Sequence, residues 1–557
     1  MHQDLAPTTN PASRRRAANP IATRSLWRHL AWVSPFGVVG VLVPLLAVTW
    51  LMSTRVVSFD GALNMQVARH IADLGSYSRT YGETTLFPAE IQTSSYFLFV
   101  SAAAIRVFGF SNLSLQAGNL LFVALLLLGF MRLTAPSRIA SLTVPSVAIL
   151  CDPGLLAYST GGYGEGAATA LALVAFMLLA GALRDTRHVV ALSAGAFACV
   201  GVAISIKTVA FALLPAALLG LLIVGFAGRR QTTRARIFLT PLATLVPIIA
   251  FELYRLAVLG RGYGAYWKEQ VSSIAYQAGI GADTDPSQGP SLLGKIADHF
   301  HLLAQQTGIA AEWWVFLLAL APVGLATVSV LAWRGWHNHE RARERQWALL
   351  ALLLTVFAEY YFVWWLAITP TEKAWLRRAT IGIFALLLAV GLVAALAISL
   401  LRRSAQLTLP VRAAAGLVAV LSVLAVAFVG WPTAGRTYRS FTTGASAEAG
   451  LVELAGDVDR LSDDGAQFYG IGWWSAPVVS LYSGVDFGDL YSSDICSPEA
   501  LEAFSDGDAY LVWDFYAEAL SNTHDPSWGG ATFTPTDVKT SYGQLWRITL
   551  NEAACRS

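Results

Sequence analysis

The sequence predicts a polytopic α-helical membrane protein of about eleven transmembrane helices that ends in a small water-soluble α/β domain. Three observations carry that expectation. The 557 residues are 55% hydrophobic and only 13% charged, and the mean hydropathy of +0.53 lies well above that of an ordinary water-soluble chain. Apolar runs of about 20 residues, the length that crosses a hydrocarbon core, recur from the first tens of residues to near Trp431. Finally, 18 of the 36 acids fall in residues 440–557, against four basic residues there, so the tail reads as a separate acidic unit suited to water.

Taken in order, residues 1–28 form a low-complexity basic N-terminus with Arg14, Arg15 and Arg16. The first apolar run, 31–52, is too long for a signal-peptide core and lacks a small-residue cleavage site behind it, so it reads as a retained anchor. Further runs lie near 112–133, 139–156, 164–183, 188–206, 208–228, 237–258, 313–333, 346–368, 379–401 and 411–431, which sets a membrane domain at 29–432. Arginine placement orients them. Arg132 and Arg138, Arg184 and Arg187, the stretch Arg229–Arg236, the stretch Arg334–Arg345, and Arg402, Arg403 and Arg412 all fall on one side. Short cytoplasmic loops carry excess Lys and Arg, so this side is expected to be cytoplasmic. The loops 53–111 and 259–312, the turns near 157–163, Lys207 and 369–378, and the tail 433–557 then lie outside a plasma membrane.

Within the tail, patterning predicts a helix at Glu448–Leu461, a strand at AQFYGIG, helices at SAPVVSLYS and PEALEAF, and strands at AYLVWDF and QLWRITL. Cys496 and Cys555 sit there, where an oxidising compartment permits a disulfide, whereas Cys151 and Cys199 lie in apolar runs as small hydrophobes. The tail aromatics Trp473, Trp474, Tyr482, Tyr491, Trp513, Tyr516 and Trp528 suit either a sugar-stacking surface or core packing and interface anchoring. No CxxC, HExxH or GxGxxG loop occurs, and the histidines are dispersed. No cofactor, metal or nucleic-acid partner is expected.

The polar residues on the outer side hold the chemistry. SFDGALNMQVARHIADLGSYS, Ser58–Ser78, reads as an amphipathic helix with Asp60 at its start, either as a helix cap or as a functional acid. On the same side lie Tyr163 and Glu165 in STGGYGEGA, Lys207 in SIKTVAF, Glu252 and Arg255 in FELYRLAVLG, Glu359 in FAEYYFVWW, and Lys373, Arg377 and Arg378 in TEKAWLRRA. Carboxylates and cations converging on one cavity suit an acid–base reaction with an anionic leaving group. Each residue also has a plainer reading: Glu252 and Glu359 suit buried pairs with Arg255 or another cation, and Arg377 and Arg378 suit snorkelling to headgroups.

A first helix, an outer loop opening D-x-x-x-x-x-x-x-A-x-x-I-x-x-x-G-x-Y (Asp60, Ala68, Ile71, Gly75, Tyr77), an apolar helix ending at Phe108–Ser111 and a long second span together resemble the GT-C class of polyprenyl-phosphate-sugar glycosyltransferases. Protein O-mannosyltransferases, aminoarabinose transferases and actinobacterial arabinosyl or mannosyl transferases belong to that class. Gly164–Glu165 opening the fourth run, Lys207–Thr208 after the fifth and the loop WLRRATIGIF before the tenth extend the resemblance over residues 30–400. Two departures stand out: FPAEIQTSS replaces the usual His-Pro-Pro or Glu-Lys-Pro element, and Asp60-Gly61-Ala62 offers no DxD, so a divalent metal is not indicated.

The resemblance implies transfer, with inversion, of a sugar from a polyprenyl phosphate to a hydroxyl of an envelope glycan, lipid or protein. It casts Asp60 and Glu165 as catalytic, Lys207, Lys373, Arg377 and Arg378 as phosphate ligands, and Tyr163, Glu252 and Glu359 as acceptor or sugar contacts. A lipid-linked-glycan flippase would more often show paired half-repeats with broken helices, and a non-catalytic carbohydrate-binding scaffold would not need Asp60. For topology, single cysteines at Ser291 and Ser521 are expected to react with an impermeant reagent on intact cells, and one at Ser404 to stay unlabelled. Labelling at Ser404 would break the threading.

Overall fold

The computed structural model describes residues 34–82, 96–135, 137–150, 152–185, 187–227, 231–259, 262–277, 291–333, 342–371, 374–402, 408–447, 449–471, 475–490, 508–514, 526 and 531–550. Lys373, Cys151, Cys496, Cys555, Trp473, Trp474, Tyr491, Tyr516, Trp528, the helix expected at PEALEAF and the basic N-terminus lie outside them.

Ser34 starts α1 (Pro35–Thr54), its Oγ accepting the Gly37 amide at 3.0 Å. Three helices then stay at one end of the bundle: α2 (Phe59–Leu74), α3 (Tyr96–Phe108) and the single turn α4 (Asn112–Leu115). The chain next crosses as α5 (Ala117–Thr134) and returns as α6 (Arg138–Leu150), followed by the short α7 (Leu155–Ser159). The run expected at 139–156 is therefore two helices. Asp152 accepts the amides of Gly154 and Leu155 at 3.0 and 2.8 Å, starting α7 afresh just where Pro153 cannot donate.

Crossings continue through α8 (Glu165–Arg184), α9 (Val189–Ile206), α10 (Leu213–Phe226), and α11 (Gln231–Phe238) with α12 (Leu245–Val258). After α13 (Tyr263–Gln277) and α14 (Leu292–Thr307) come α15 (Ala311–Trp333), α16 (Ala342–Ile368), α17 (Leu376–Arg402) and α18 (Leu409–Ala447). Ten helical segments among the described residues are long and apolar enough to cross a membrane, and α6 is a shorter apolar helix. The chain is a multi-pass membrane protein. Two helices form its hub: α8 and α17 are each 72% buried, against 28% for Gln231–Val258 at the periphery. Small residues such as Ala167, Ala168, Ala170 and Ala175 let neighbours approach α8 closely.

α18 runs unbroken for 39 residues, past position 432, and leads into the tail domain. There α19 (Ala449–Asp463) and α20 (Ser475–Ser483) accompany a five-stranded sheet of order β2-β1-β3-β5-β4, formed by β1 (Gln467–Gly470), β2 (Phe487–Asp489), β3 (Ala509–Asp514), β4 (Ala531–Lys539) and β5 (Gly543–Leu550). β1 pairs in parallel with β2 and β3, while β5 is antiparallel to β3 and β4. The central β3 is buried at every position.

The tail is fastened to the loop after α1. Tyr81 forms a parallel bridge with Phe487: the Phe487 amide donates to Thr80 O at 2.7 Å and the Gly82 amide to Phe487 O at 2.8 Å. Residues 80–82 thus extend the sheet past β2. Gln66 of α2, fully buried, donates to Pro477 O at 2.7 Å and accepts the Tyr81 amide at 3.2 Å. Arg69 donates to Leu481 O, and Ser480 Oγ to Thr80 Oγ1 at 2.7 Å. A buried amide that loses its partner costs about 1–3 kcal/mol. Gln66→Leu is accordingly expected to lower the apparent Tm of the detergent-purified protein and to speed proteolytic release of the tail; unchanged melting and proteolysis would show that Gln66 is not the fastening.

Candidate active site

The site forms where α2, the turn before α8, the end of α9 and the start of α17 meet. α2 is capped by Ser58, whose Oγ accepts the Gly61 amide at 3.4 Å, and it ends at Gly75 with φ +71°. Asp60 is therefore not the cap. Its carboxylate lies inside the first turn, where the helix N-terminus favours an anion, and Oδ2 accepts from Arg377 Nη1.

The same guanidinium reaches the second acid, with Arg377 Nε 3.7 Å from Glu165 Oε1. Lys207 Nζ lies 3.1 Å from that oxygen. Asp60, Arg377, Glu165 and Lys207 thus form one alternating chain of two anions and two cations, all partly or wholly shielded from solvent. Glu165 is only 5% exposed, and its Oε2 has no hydrogen-bond partner among the described residues. Burial pushes the Lys207 ammonium below its ordinary range, and Glu165 beside it acts the other way.

Local backbone explains how these groups converge. Lys207 leaves the helical conformation at φ −139°, ψ 118°, ending α9 and passing into a 3₁₀ turn, Thr208–Ala212. Ahead of α8, Gly162 adopts φ +80°, and the segment lies flat on α2: Ser58 Oγ donates to Gly161 O at 2.9 Å and Asn64 Nδ2 to Gly162 O at 3.1 Å. A Cβ on Gly61 would sit 1.8 Å from Gly161 O, so only glycine allows this approach. At α17, Tyr361 donates to Arg378 O at 2.7 Å, Gln306 Oε1 accepts the Leu376 amide, and Arg436 donates to Gln306 O at 3.0 Å.

Aromatic rings surround the cations. The Arg377 guanidinium lies 5.0 Å from the Tyr163 ring centroid and 5.7 Å from that of Trp375, which is also 5.9 Å from Arg378. Such stacking stabilises a cation while leaving its N–H edge available. Burial raises the Tyr163 hydroxyl above its ordinary range, and Asp60 adds to this.

Of the sequence candidates, Asp60, Tyr163, Glu165, Lys207 and Arg377 come together, with Arg378 adjacent. Glu252 stands in a different cluster, 2.7 Å from Arg255 and 3.0 Å from the Tyr263 hydroxyl, with Arg255 over the rings of Phe251 and Tyr266. Glu359 lies within α16, and its Oε1 is buried without a partner among the described residues. Ser58 and Asn64 escaped the sequence reading because neither ionises. Asp152 escaped it as part of an apolar run, although its D-P-G turn is a recognisable restart signal.

No protein-family model matches the sequence, and no curated protein sequence matches it. Among solved structures, ArnT from Cupriavidus metallidurans bound to undecaprenyl phosphate is similar over 92% of this chain and 97% of its own, with TM-score 0.55 and 14% identity. ArnT from the same organism in the apo state gives TM-score 0.52 and 14% identity over 94% and 98%. The chain has the GT-C fold. The likeness runs over nearly the whole length of both chains.

Gly61→Ala is expected to cost about 1–3 kcal/mol as an overpacking change and to lower the apparent Tm, because either α2 or the Gly161 turn must move. Gly456→Ala, inside α19 with nothing within 4 Å, serves as the steric control and is expected to hold or raise the Tm, since Ala favours a helix interior over Gly by about 0.5–1 kcal/mol. Equal melting of the two variants would contradict the close approach.

Proposed function

We propose that this GT-C chain is an inverting glycosyltransferase that moves a sugar from a polyprenyl-phosphate donor to a hydroxyl acceptor on the outer face of the membrane. The observation that carries the reading is the chain of alternating charges Asp60–Arg377–Glu165–Lys207. Undecaprenyl phosphate bound to a protein of this fold supports the donor class.

In this mechanism the acceptor oxygen attacks the anomeric carbon as the bond from that carbon to the phosphate oxygen breaks. The acceptor proton passes to Asp60, and the lipid phosphate departs with the bonding electrons. Arg377, with Arg378 and Lys207 near it and Lys373 four residues earlier in the sequence, compensates the charge growing on that phosphate. Glu165 Oε2, buried and unpartnered among the described residues, suits a hydroxyl of the sugar or acceptor. Tyr163 offers a ring face beside it. The cations supply the positive charge the step needs, so the reaction as written requires no metal or nucleotide. The acceptor class is a glycan, lipid or protein of the cell envelope.

Purified protein incubated with a polyprenyl-phosphate sugar is expected to release free polyprenyl phosphate; movement of intact donor lipid without bond cleavage would favour a transporter instead. Because Ser58 is the cap, Asp60→Asn leaves helix capping intact while removing the proton acceptor. Its transfer rate is expected to fall by about 10²- to 10⁴-fold. A folded Asn variant with near-normal turnover would end the assignment of Asp60 as base.

A further inference from the structure

At the opposite end of α8 from Glu165 lies an open cleft of about 690 Å³, bordered by α5, α8, α9 and the start of α16. Its walls are apolar along one stretch, with Gly129, Val174, Met177, Leu178, Gly181 and Leu192, and its mouth carries Arg132, Arg184, Asp185 and Gln346. From Arg184 back to Val174 the cavity follows ten residues of α8, about 15 Å at the helical rise. The volume falls within the range of about 300–1,000 Å³ usual for ligand sites.

We propose that this cavity binds an anionic membrane phospholipid, with its phosphate at Arg132 and Arg184 and the upper part of an acyl chain along Gly181, Met177 and Val174. The division of the lining is what a lipid requires: guanidinium groups suited to paired hydrogen bonds with phosphate at the rim, and an apolar channel leading towards mid-membrane. Basic pockets between membrane helices at the arginine-rich end recognise such headgroups. Asp185 sets one negative charge against the two arginines, leaving the lining net positive, and its oxygens lie against the amides of Arg187 and His188 at 2.9 and 3.0 Å and the His188 ring at 3.0 Å. Along α8, Arg184 at the mouth lies about 28 Å from Glu165 and the cavity's inner end at Val174 about 14 Å from it, and the inference does not rest on the proposed transfer reaction.

The test uses the full-length protein, delipidated in detergent and then supplied with phosphatidylglycerol, phosphatidylcholine or inorganic phosphate, with retained lipid read by native mass spectrometry and protection by thermal unfolding. Phosphatidylglycerol is expected to stay bound to the wild type and to a double variant of arginines outside the cavity, Arg236→Gln/Arg402→Gln. Retention is expected to drop at least about tenfold in Arg132→Gln/Arg184→Gln, the scale of one lost charge-assisted phosphate contact. Gly181→Leu, which keeps both arginines and fills the channel, provides an independent variant should the double change fail to fold. Its retention is expected to drop as well. Unchanged retention in either folded cavity variant, or a loss equal to that of the Arg236/Arg402 variant, would overturn the proposal. Equal retention of phosphatidylcholine would overturn its anionic part, and equal protection by inorganic phosphate alone would replace the lipid with a free anion.

Discussion

A guanidinium held between two carboxylates is the constraint on which the rest of the site depends. A buried arginine is costly unless its charge is matched and its N–H groups are used, and Arg377 meets that demand only if residues more than three hundred positions apart come together. Asp60 must arrive on α2, Glu165 on α8, and Arg377 on α17. Lys207 then balances the second acid, leaving two anions and two cations. The nearby peculiarities of the fold serve this meeting: glycine at 61 and 162, Ser58 rather than Asp60 as the cap, and Tyr361, Gln306 and Arg436 pinning the start of α17.

This arrangement constrains any mechanism that uses Asp60 as a base. Oδ2 of Asp60, an oxygen that would take the acceptor proton, already accepts from Arg377 Nη1. For the proposed reaction, proton transfer therefore needs Arg377 to loosen its hold. A phosphate offers Arg377 a competing acceptor with the right geometry for two parallel hydrogen bonds. Donor binding and activation of the base would thus be one event. An acceptor arriving before the donor would meet a base still engaged with its cation, which limits wasteful activation of water.

Much of this was legible in the sequence, for identifiable reasons. Hydropathy and the arginine pattern mark most spans, because the hydrocarbon core imposes a length and a composition on each helix. Asp60, Glu165, Lys207 and Arg377 were visible because charge is costly beside a membrane and so is rarely incidental. Their linkage was not visible, since no local pattern reports that the start of α17 brings Arg377 to Asp60 of α2. Two strands also escaped. β2 is three residues long, and β4, ATFTPTDVK, alternates weakly and carries a proline, so period-two patterning is faint in both. The bridge between Tyr81 and Phe487 is a long-range pairing that turn chemistry cannot announce. Glu252 shows the opposite failure: an acid noted for its charge alone is held in a local cluster by Arg255, three residues on, and Tyr263.

α8 ties these features into one mechanical argument. It carries Glu165 at its N-terminus and Arg184 in its last turn, each complementing the helix dipole where it lies. Between them the helix is largely buried among α5, α9, α10, α16 and α17, which limits its freedom to bend or slide. A displacement at one end must then be taken up by the helix as a body. The same rigidity that fixes Glu165 beside Arg377 also fixes the wall of the cavity at the opposite end, and filling that cavity would restrain the position of Glu165 without any contact to it. In a bundle whose outer helices face lipid, packing around one central helix is what keeps the charged chain in register.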